Sequence, residues 1–365
     1  MNRRDLLKGG AAAAVATATT ASSFPAPAIA QGVRTLKMVT SWPKGYPGLG
    51  TAAERFARRI EEGSGGRFKI QVYAGGELVH PLKCHDALQE GTAELYHSAD
   101  YYYKGKAEAY AFFTTVPFGF TAAEMNAWLH HGGGQALWDE VGAQFGIKHL
   151  PCGNTGVQMG GWFKQEIKSL EDIKGLKMRI PGFGGDLWTA MGGTAVTLAG
   201  AEIMPALQAG TIDAADWVGP WNDLAFGFYK VVKNYYWPTF HEPGPALSAG
   251  ISRKLWDSLS SSDQALFTAA ALAENDYGLA EFNAHNQAAL EALVNEHGVQ
   301  LRQFSDEIYR GFGEAARDVV AKAGQSDELS KRVYESYSSF RRTIIRWSQI
   351  ADQGFMNQRA LVDFG

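Results

Sequence analysis

The chain has 365 residues, 45% of them hydrophobic and 20% charged, which is enough for a large core and for two lobes rather than one. Its formal net charge is −4 with no basic run beyond the N-terminus, so nucleic acid is excluded as a partner. Aromatic residues are plentiful (10 Trp, 14 Tyr and 20 Phe) and suit a pocket that buries a flat organic ligand.

Residues 1–30 read as an export signal. Asn2-Arg3-Arg4-Asp5-Leu6-Leu7-Lys8 is a twin-arginine opening, a weakly hydrophobic Ala-rich stretch follows, and Ala28-Ile29-Ala30 forms a small-residue cleavage site. The apolar stretch is too short and too rich in Thr to span a bilayer. The alternative is a chance arginine pair on a cytoplasmic tail. Export in the folded state would place the chain in the bacterial periplasm. Losing three cations and one anion with the signal leaves 335 residues at a formal −6. The two cysteines, Cys84 and Cys152, fall at a predicted helix start and strand end and read as buried thiols. No C-x-x-C occurs, which excludes covalent haem and iron–sulfur centres.

Thr35–Ser41 alternates as a strand, Gly48–Glu62 is an amphipathic helix with Ala53, Phe56, Ala57 and Ile60 on one face, and Phe68–Tyr73 is a second strand. A short helix over Pro81–Glu90 and a third strand over Ala93–Ser98 complete a β-α-β-α-β order, which argues for a parallel sheet covered by helices. Tyr101-Tyr102-Tyr103 follows directly; three tyrosine hydroxyls cannot all lie in a core, so at least one is expected to line the crevice, the alternative being a surface cluster that starts a helix. Ala122–Phe145 reads as one helix, interrupted at His130-His131 before three glycines. Strands over Ile147–Pro151 and Val157–Phe163 carry the chain from one lobe to the other, with Asn154 and Gln158 at the passage.

The alternation then restarts: strand Leu176–Arg179, helix Gly185–Met191, strand Thr194–Leu198, helix Glu202–Ala209, strand Ile212–Trp217. Phe240-His241-Glu242-Pro243-Gly244-Pro245 marks a return crossing, and Ala246–Ser252 is a strand. All 13 prolines lie at or before Pro245, and the rest is mostly helix: Ser261 or Ser262 to about Glu296, a short strand Val299–Phe304, then Ser305–Ala323 and Ser326–Asp352. The expected fold is α/β, two-lobed in the manner of periplasmic binding proteins, with a hinged cleft and a long helical C-terminal region. Residues 31–155 form the first lobe, completed by segments near 240–260. Residues 156–240 form the second lobe, and 260–365 brace both and present an apolar helix for dimerisation.

Signatures of common enzymes are missing: there is no G-x-S-x-G, H-E-x-x-H, phosphate-binding loop or G-x-G-x-x-G. What stands out is Arg179 at a strand end before Gly182, Gly184 and Gly185, with Asp216 and Trp217 at the end of another. In open α/β sheets ligands bind beyond the carboxyl ends of the strands, so both ends should face one crevice. The planar fork of Arg179 suits a carboxylate. Asp216, Glu242 and Gln158 supply hard oxygen donors that suit Na⁺, Ca²⁺ or Mg²⁺ rather than zinc.

GLKMRIPG followed by AGAEIMPALQAGTIDAADWVGP resembles the signature of the DctP-type substrate-binding proteins of tripartite ATP-independent periplasmic (TRAP) transporters, over essentially the whole mature chain. The YYYKGK, GNTGVQMGGWF and HEPG segments are similar to those of members that bind 2-oxo acids or lactate. The resemblance implies that Arg179 pairs with a substrate carboxylate, that Gln158, Asp216 and the Trp217 carbonyl hold a sodium or calcium ion, and that Glu242 is a further ligand. Asn154, Tyr101, Trp217 and Asp216 would join the substrate contacts. The acidic position is usually Glu in that group and is Asp216 here. The resemblance also implies membrane permease partners and a homodimer through the C-terminal helix. A different reading is an exported metal-assisted enzyme using Asp216, Glu242 and a histidine to activate water on a small carboxylate.

Overall fold

The computed structural model describes residues 32–363; the predicted export signal, Gln31 and the last two residues lie outside them. Eleven strands are present among the described residues: β1 (Arg34–Thr40), β2 (Phe68–Tyr73), β3 (Leu95–Ser98), β4 (Ile147–Asn154), β5 (Gly161–Phe163), β6 (Lys177–Arg179), β7 (Thr194–Val196), β8 (Ala214–Ala215), β9 (Asn234–Trp237), β10 (Ala246–Ser252) and β11 (Gln300–Gln303). They form two sheets, in the orders β2-β1-β3-β10-β4 and β11-β9-β5-β8-β6-β7. The fold is two-lobed α/β.

In the first sheet β1, β2 and β3 run parallel, and β10 enters antiparallel between β3 and β4. The helix Leu49–Gly63 buries Ala53, Phe56, Ala57 and Ile60 on this sheet, the three-to-four spacing that an amphipathic helix needs. Phe267, Ala270 and Ala271, from the first half of the helix Ser261–Asn295, complete that layer. The opposite face carries an aromatic core in which Phe113 stacks between Trp128 and Trp138. The second lobe packs Phe163, Met178, Ile180 and Trp188 with Phe304 and Phe312 from the C-terminal region.

The chain passes between the sheets from β4 to β5 and returns from β9 to β10. The two passages are hydrogen-bonded to each other, Thr155 N–H to the Pro245 carbonyl at 3.3 Å and Gln158 N–H to the Glu242 carbonyl at 3.2 Å. The helix Ser261–Asn295 then links β10 of the first sheet to β11 of the second, packing on both β4 and the short helix Pro220–Phe226.

Several boundaries differ from the sequence reading for identifiable reasons. The helix expected over 122–145 is two helices, Ala122–His131 and Gly134–Ala143. Gly133 sits at φ 84°, a left-handed conformation that ends one helix and starts the next, and His130 and His131 are exposed at the break. Of Val157–Phe163 only Gly161–Phe163 is strand; the backbone of 158–160 pairs instead with Glu242, Val218 and Tyr236. The long helix is capped by Ser260, whose side chain accepts from Asp263 N–H, rather than by Ser261 or Ser262. Cys84 and Cys152 are buried free thiols, not joined by a disulfide.

Candidate functional site

Strand alternation explains where Arg179 goes. Met178 and Ile180 point into the core of the second lobe, so the side chain between them faces the opposite way, into the cleft. Arg179 is fully buried there. Its Nε donates to the Leu198 carbonyl at 3.1 Å, Nη1 to the Asp216 carbonyl at 3.0 Å, and Nη2 to the Tyr102 hydroxyl at 3.1 Å. The Trp217 ring lies 5.1 Å from the guanidinium carbon, a cation–π contact. Counting donors leaves one Nη2 hydrogen for a ligand oxygen, and the Tyr102 hydroxyl, having accepted, keeps its own proton to give.

The acidic groups come from two places. Asp216 follows β8, which pairs with β6 so that Ala215 stands opposite Arg179. His241 and Glu242 lie in the return passage and Gln158 in the outgoing one. One ligand atom from each of Asp216, His241 and Glu242 falls within 4.8 Å of the others, and all three residues are buried. Asp216 Oδ2 is 3.4 Å from Arg179 Nη1 and Asp216 Oδ1 is 3.0 Å from His241 Nε2. Both oxygens of Glu242 and the Oε1 of Gln158 have no hydrogen-bond partner, while Gln158 Nε2 donates to Thr155 Oγ1 at 3.0 Å. Orphaned buried acceptors are costly unless something electropositive meets them. Three such oxygens, two of them on Glu242 with the Asp216 carboxylate close by, fit a hard cation.

Electrostatics agrees with that fit. Burial pushes the Glu242 carboxyl well above the usual range, and the neighbouring Asp216 pushes the same way; Arg179 works against them, and Tyr101 and Gln158 lie near enough to ease the charge without closing hydrogen bonds. Burial also opposes the charge on Arg179, but Tyr102, Tyr101, Asp216 and Glu242 outweigh it and raise its pKa. With both carboxylates ionised, the trio Arg179, Asp216 and Glu242 sums to one negative charge, which a cation offsets.

The cleft is closed around these groups. Tyr101 and Tyr102 arrive from the first lobe on the turn Asp100–Tyr103 after β3. Gly182, at φ 60°, sits so near that a Cβ there would stand 3.2 Å from Tyr101 Cβ. At the rim the Tyr46 hydroxyl donates to the Asn222 carbonyl, Asn222 Nδ2 donates to the Pro47 carbonyl at 3.0 Å, and Lys104 pairs with Asp186. Trp42, Tyr46, Trp217 and Phe226 make an aromatic wall, with Tyr46 and Phe226 stacked at 4.5 Å.

The structure thus brings Arg179, Asp216, Trp217, Gln158, Glu242 and the tyrosine turn to one place. Asn154 is near but engaged: its Nδ2 donates to the Gly244 carbonyl at 3.0 Å and its Oδ1 accepts from Gly156 N–H at 2.9 Å, tying the two passages together. Sequence reasoning missed His241, Thr239 and Tyr102. His241 stands beside Glu242 in the turn already singled out, and that adjacency was the available signal. Tyr102 could not be separated from its two neighbours without the turn geometry.

Comparison with known proteins adds the context. Residues 38–327 match the family model described as bacterial extracellular solute-binding protein, family 7, and residues 1–20 match the twin-arginine translocation signal. The chain is therefore exported to the periplasm by the twin-arginine route. A monocarboxylate 2-oxoacid-binding periplasmic protein of Nostoc sp. is 41% identical over 98% of each chain. A TRAP periplasmic solute-binding protein of Pseudoalteromonas atlantica, solved with bound sodium and pyruvate, superposes with a TM-score of 0.87 at 35% identity, covering 89% of this chain and 99% of that one. A TRAP solute-binding protein of Bordetella bronchiseptica, a dimer with calcium and picolinate in one of its sites, gives 0.88 at 34% identity over 90% of this chain and 98% of that one.

Proposed function

We propose a ligand for this chain on one premise: it belongs to bacterial extracellular solute-binding protein family 7 and is the solute receptor of a TRAP transport system, working with membrane permease subunits. The ligand is a small 2-oxo or 2-hydroxy monocarboxylate, held together with a sodium or calcium ion and handed on unchanged. The observation that carries the reading is the one uncommitted Nη2 hydrogen of Arg179 in the same closed cleft as the unpartnered oxygens of Gln158 and Glu242.

Arg179 takes one carboxylate oxygen and Tyr102 offers a second donor. Gln158, Asp216, the Trp217 carbonyl and Glu242 are the oxygen ligands of the cation. When bound, the cation supplies positive charge that chelates the second carboxylate oxygen and the adjacent keto or hydroxyl oxygen. Tyr101 closes the cleft from the first lobe, and the aromatic wall of Trp42, Tyr46 and Phe226 receives the rest of the ligand. Among the described residues, the first lobe comprises the chain up to residue 155 with segments near 240–260, the second 156–240, and the helices after 260 brace both.

Calorimetric titration with pyruvate, lactate and longer 2-oxo acids, in sodium, in calcium and in cation-free buffer, tests the reading, with ligand recovery followed by NMR. Cation-dependent binding and unchanged ligand are expected. Equal affinity without cation rejects the cation-dependent reading, and conversion of the ligand rejects the receptor reading in favour of the enzyme.

The same proposal includes a homodimer. On the helices Glu328–Ile350 and Asp352–Arg359, Trp347, Ile350, Phe355 and Met356 are each more than half exposed, an apolar stripe that a second copy would cover. The dimeric Bordetella relative supports it. A monomeric mass by light scattering at micromolar concentration would count against it.

A further inference from the structure

Asp216, His241 and Glu242 have the composition of a transition-metal site, an imidazole beside two carboxylates. The hydrogen bonds around Thr239 argue against that use. The Thr239 hydroxyl oxygen accepts from His241 N–H at 3.2 Å and from Glu242 N–H at 3.0 Å. A hydroxyl has two acceptor sites and one proton to give. With both acceptor sites engaged, the proton goes to His241 Nδ1, 3.3 Å away. An uncharged ring whose Nδ1 accepts carries its own hydrogen on Nε2. Nε2 has no well-aligned hydrogen bond in the closed cleft, and Asp216 Oδ1 is the acceptor standing 3.0 Å from it.

We propose that His241 is a positioning residue of the cation site, holding Asp216 by its Nε2–H while neither ring nitrogen is available to the cation. The inference rests on the cation reading above. Asp216 would then be steadied at both oxygens, Oδ2 by the Arg179 Nη1 hydrogen bond at 3.4 Å and Oδ1 by His241 once a turn of the ring aligns its Nε2–H with that oxygen 3.0 Å away, and each oxygen retains a lone pair for the cation. It also makes the site selective. With the imidazole withheld, only oxygen ligands remain, a set that serves sodium and calcium and leaves zinc without the nitrogen it favours. Thr239 is the remote cause, since its hydroxyl fixes the tautomer from the far side of the ring.

The experiment has two arms. Ring ¹⁵N NMR of the wild-type protein, with and without calcium, reads the tautomer: Nδ1 unprotonated and Nε2–H retained on calcium addition is expected. Nδ1–H, or a metal-induced loss of the Nε2–H signal, overturns the proposal. In parallel, sodium, calcium and zinc are titrated calorimetrically into wild type, His241→Gln and His241→Ala. The glutamine amide reaches where Nε2–H stands, so His241→Gln should keep calcium affinity within a few-fold, whereas His241→Ala should lose about ten- to a hundred-fold. Unchanged affinity in His241→Ala, or zinc binding tighter than calcium and lost in His241→Gln, also overturns it. A wild type that binds none of the three cations refutes the cation reading itself, whatever the tautomer. The wild-type tautomer readout stands even if the alanine variant fails to fold.

Discussion

Arg179 and Asp216 are tied in opposite directions: Asp216 N–H donates to the Arg179 carbonyl at 2.9 Å, and Arg179 Nη1 donates to the Asp216 carbonyl at 3.0 Å. The guanidinium is therefore held by backbone carbonyls rather than by a mobile partner, with one Nη2 hydrogen left uncommitted. Arg179→Ala should weaken monocarboxylate binding by roughly two to three and a half decades, the equivalent of about 3–5 kcal/mol for breaking a buried pair. Arg179→Lys keeps the charge and loses the fork, and should fall between. Calorimetry measures both; near-wild-type affinity in Arg179→Ala would remove Arg179 from the site.

Removing the cation is the complementary test. Chelation in sodium-free buffer should lower pyruvate affinity by at least about tenfold. Glu242→Gln keeps the volume and removes one charge, so it should weaken calcium more than sodium, because the lost attraction scales with the ion's charge. An identical loss for both ions would take Glu242 out of the ligand set.

Gly182 offers a test of closure that touches neither charge nor cation. At φ 60°, with Tyr101 Cβ at 3.2 Å from a built Cβ, alanine there meets backbone strain and a collision across the cleft. The φ strain is common to open and closed states, so overpacking of about 1–2 kcal/mol at the Tyr101 contact, met only on closing, predicts a five- to thirty-fold loss of ligand affinity. Small-angle scattering should show a more open average shape at subsaturating ligand. Unaltered affinity and shape would mean that the two lobes do not meet at this point on closing.

Lys104 and Asp186 join the lobes at the rim, both partly exposed. An ion pair of that kind contributes about 0.2–1 kcal/mol. Lys104→Ala should speed ligand release by no more than about fivefold in stopped-flow dissociation, with a matching effect of Asp186→Ala and no further effect in the double variant.

Asp223, behind the site, gives a pH signature. It accepts from Trp162 Nε1 at 2.8 Å and from the Tyr235 hydroxyl at 2.7 Å, yet burial raises its pKa to about 7. Between the unfolded value of 3.8 and about 7 the folded chain holds a proton that the unfolded chain has lost, so this group lowers stability as pH rises. Asp223→Asn removes that slope, at most about 1.4 kcal/mol per pH unit. The variant's melting temperature should therefore improve relative to wild type from pH 5 to pH 7 and track it above. A constant offset across that range would contradict the raised pKa.

How much of this was legible depends on the range of the interactions. Arg179 could be found because Met178 and Ile180 flank it and a glycine turn follows, all within one local pattern. Asp216 was legible for the same reason, although β8 is only two residues long. The strand Asn234–Trp237 and the short helices Tyr110–Thr114 and Pro220–Phe226 went unassigned because their places are fixed by distant partners: β5 and β11 for the first, the aromatic core and the helix Ser261–Asn295 for the others. The role of His241 hangs on a threonine hydroxyl and a carboxylate 25 positions away in sequence, which no periodicity records.

The two passages between the sheets carry Gln158 and Glu242 and are also bonded to each other through the backbone of those same residues. If Gln158 and Glu242 hold the cation as proposed, grip and bend share the same two passages. On the proposed reading, a substitution at either residue that shifts its backbone changes both what is held and the ease with which the molecule opens. On that reading, diversification of ligand has its freer ground in Trp42, Tyr46 and Phe226, whose side chains shape the cleft wall without belonging to the two passages.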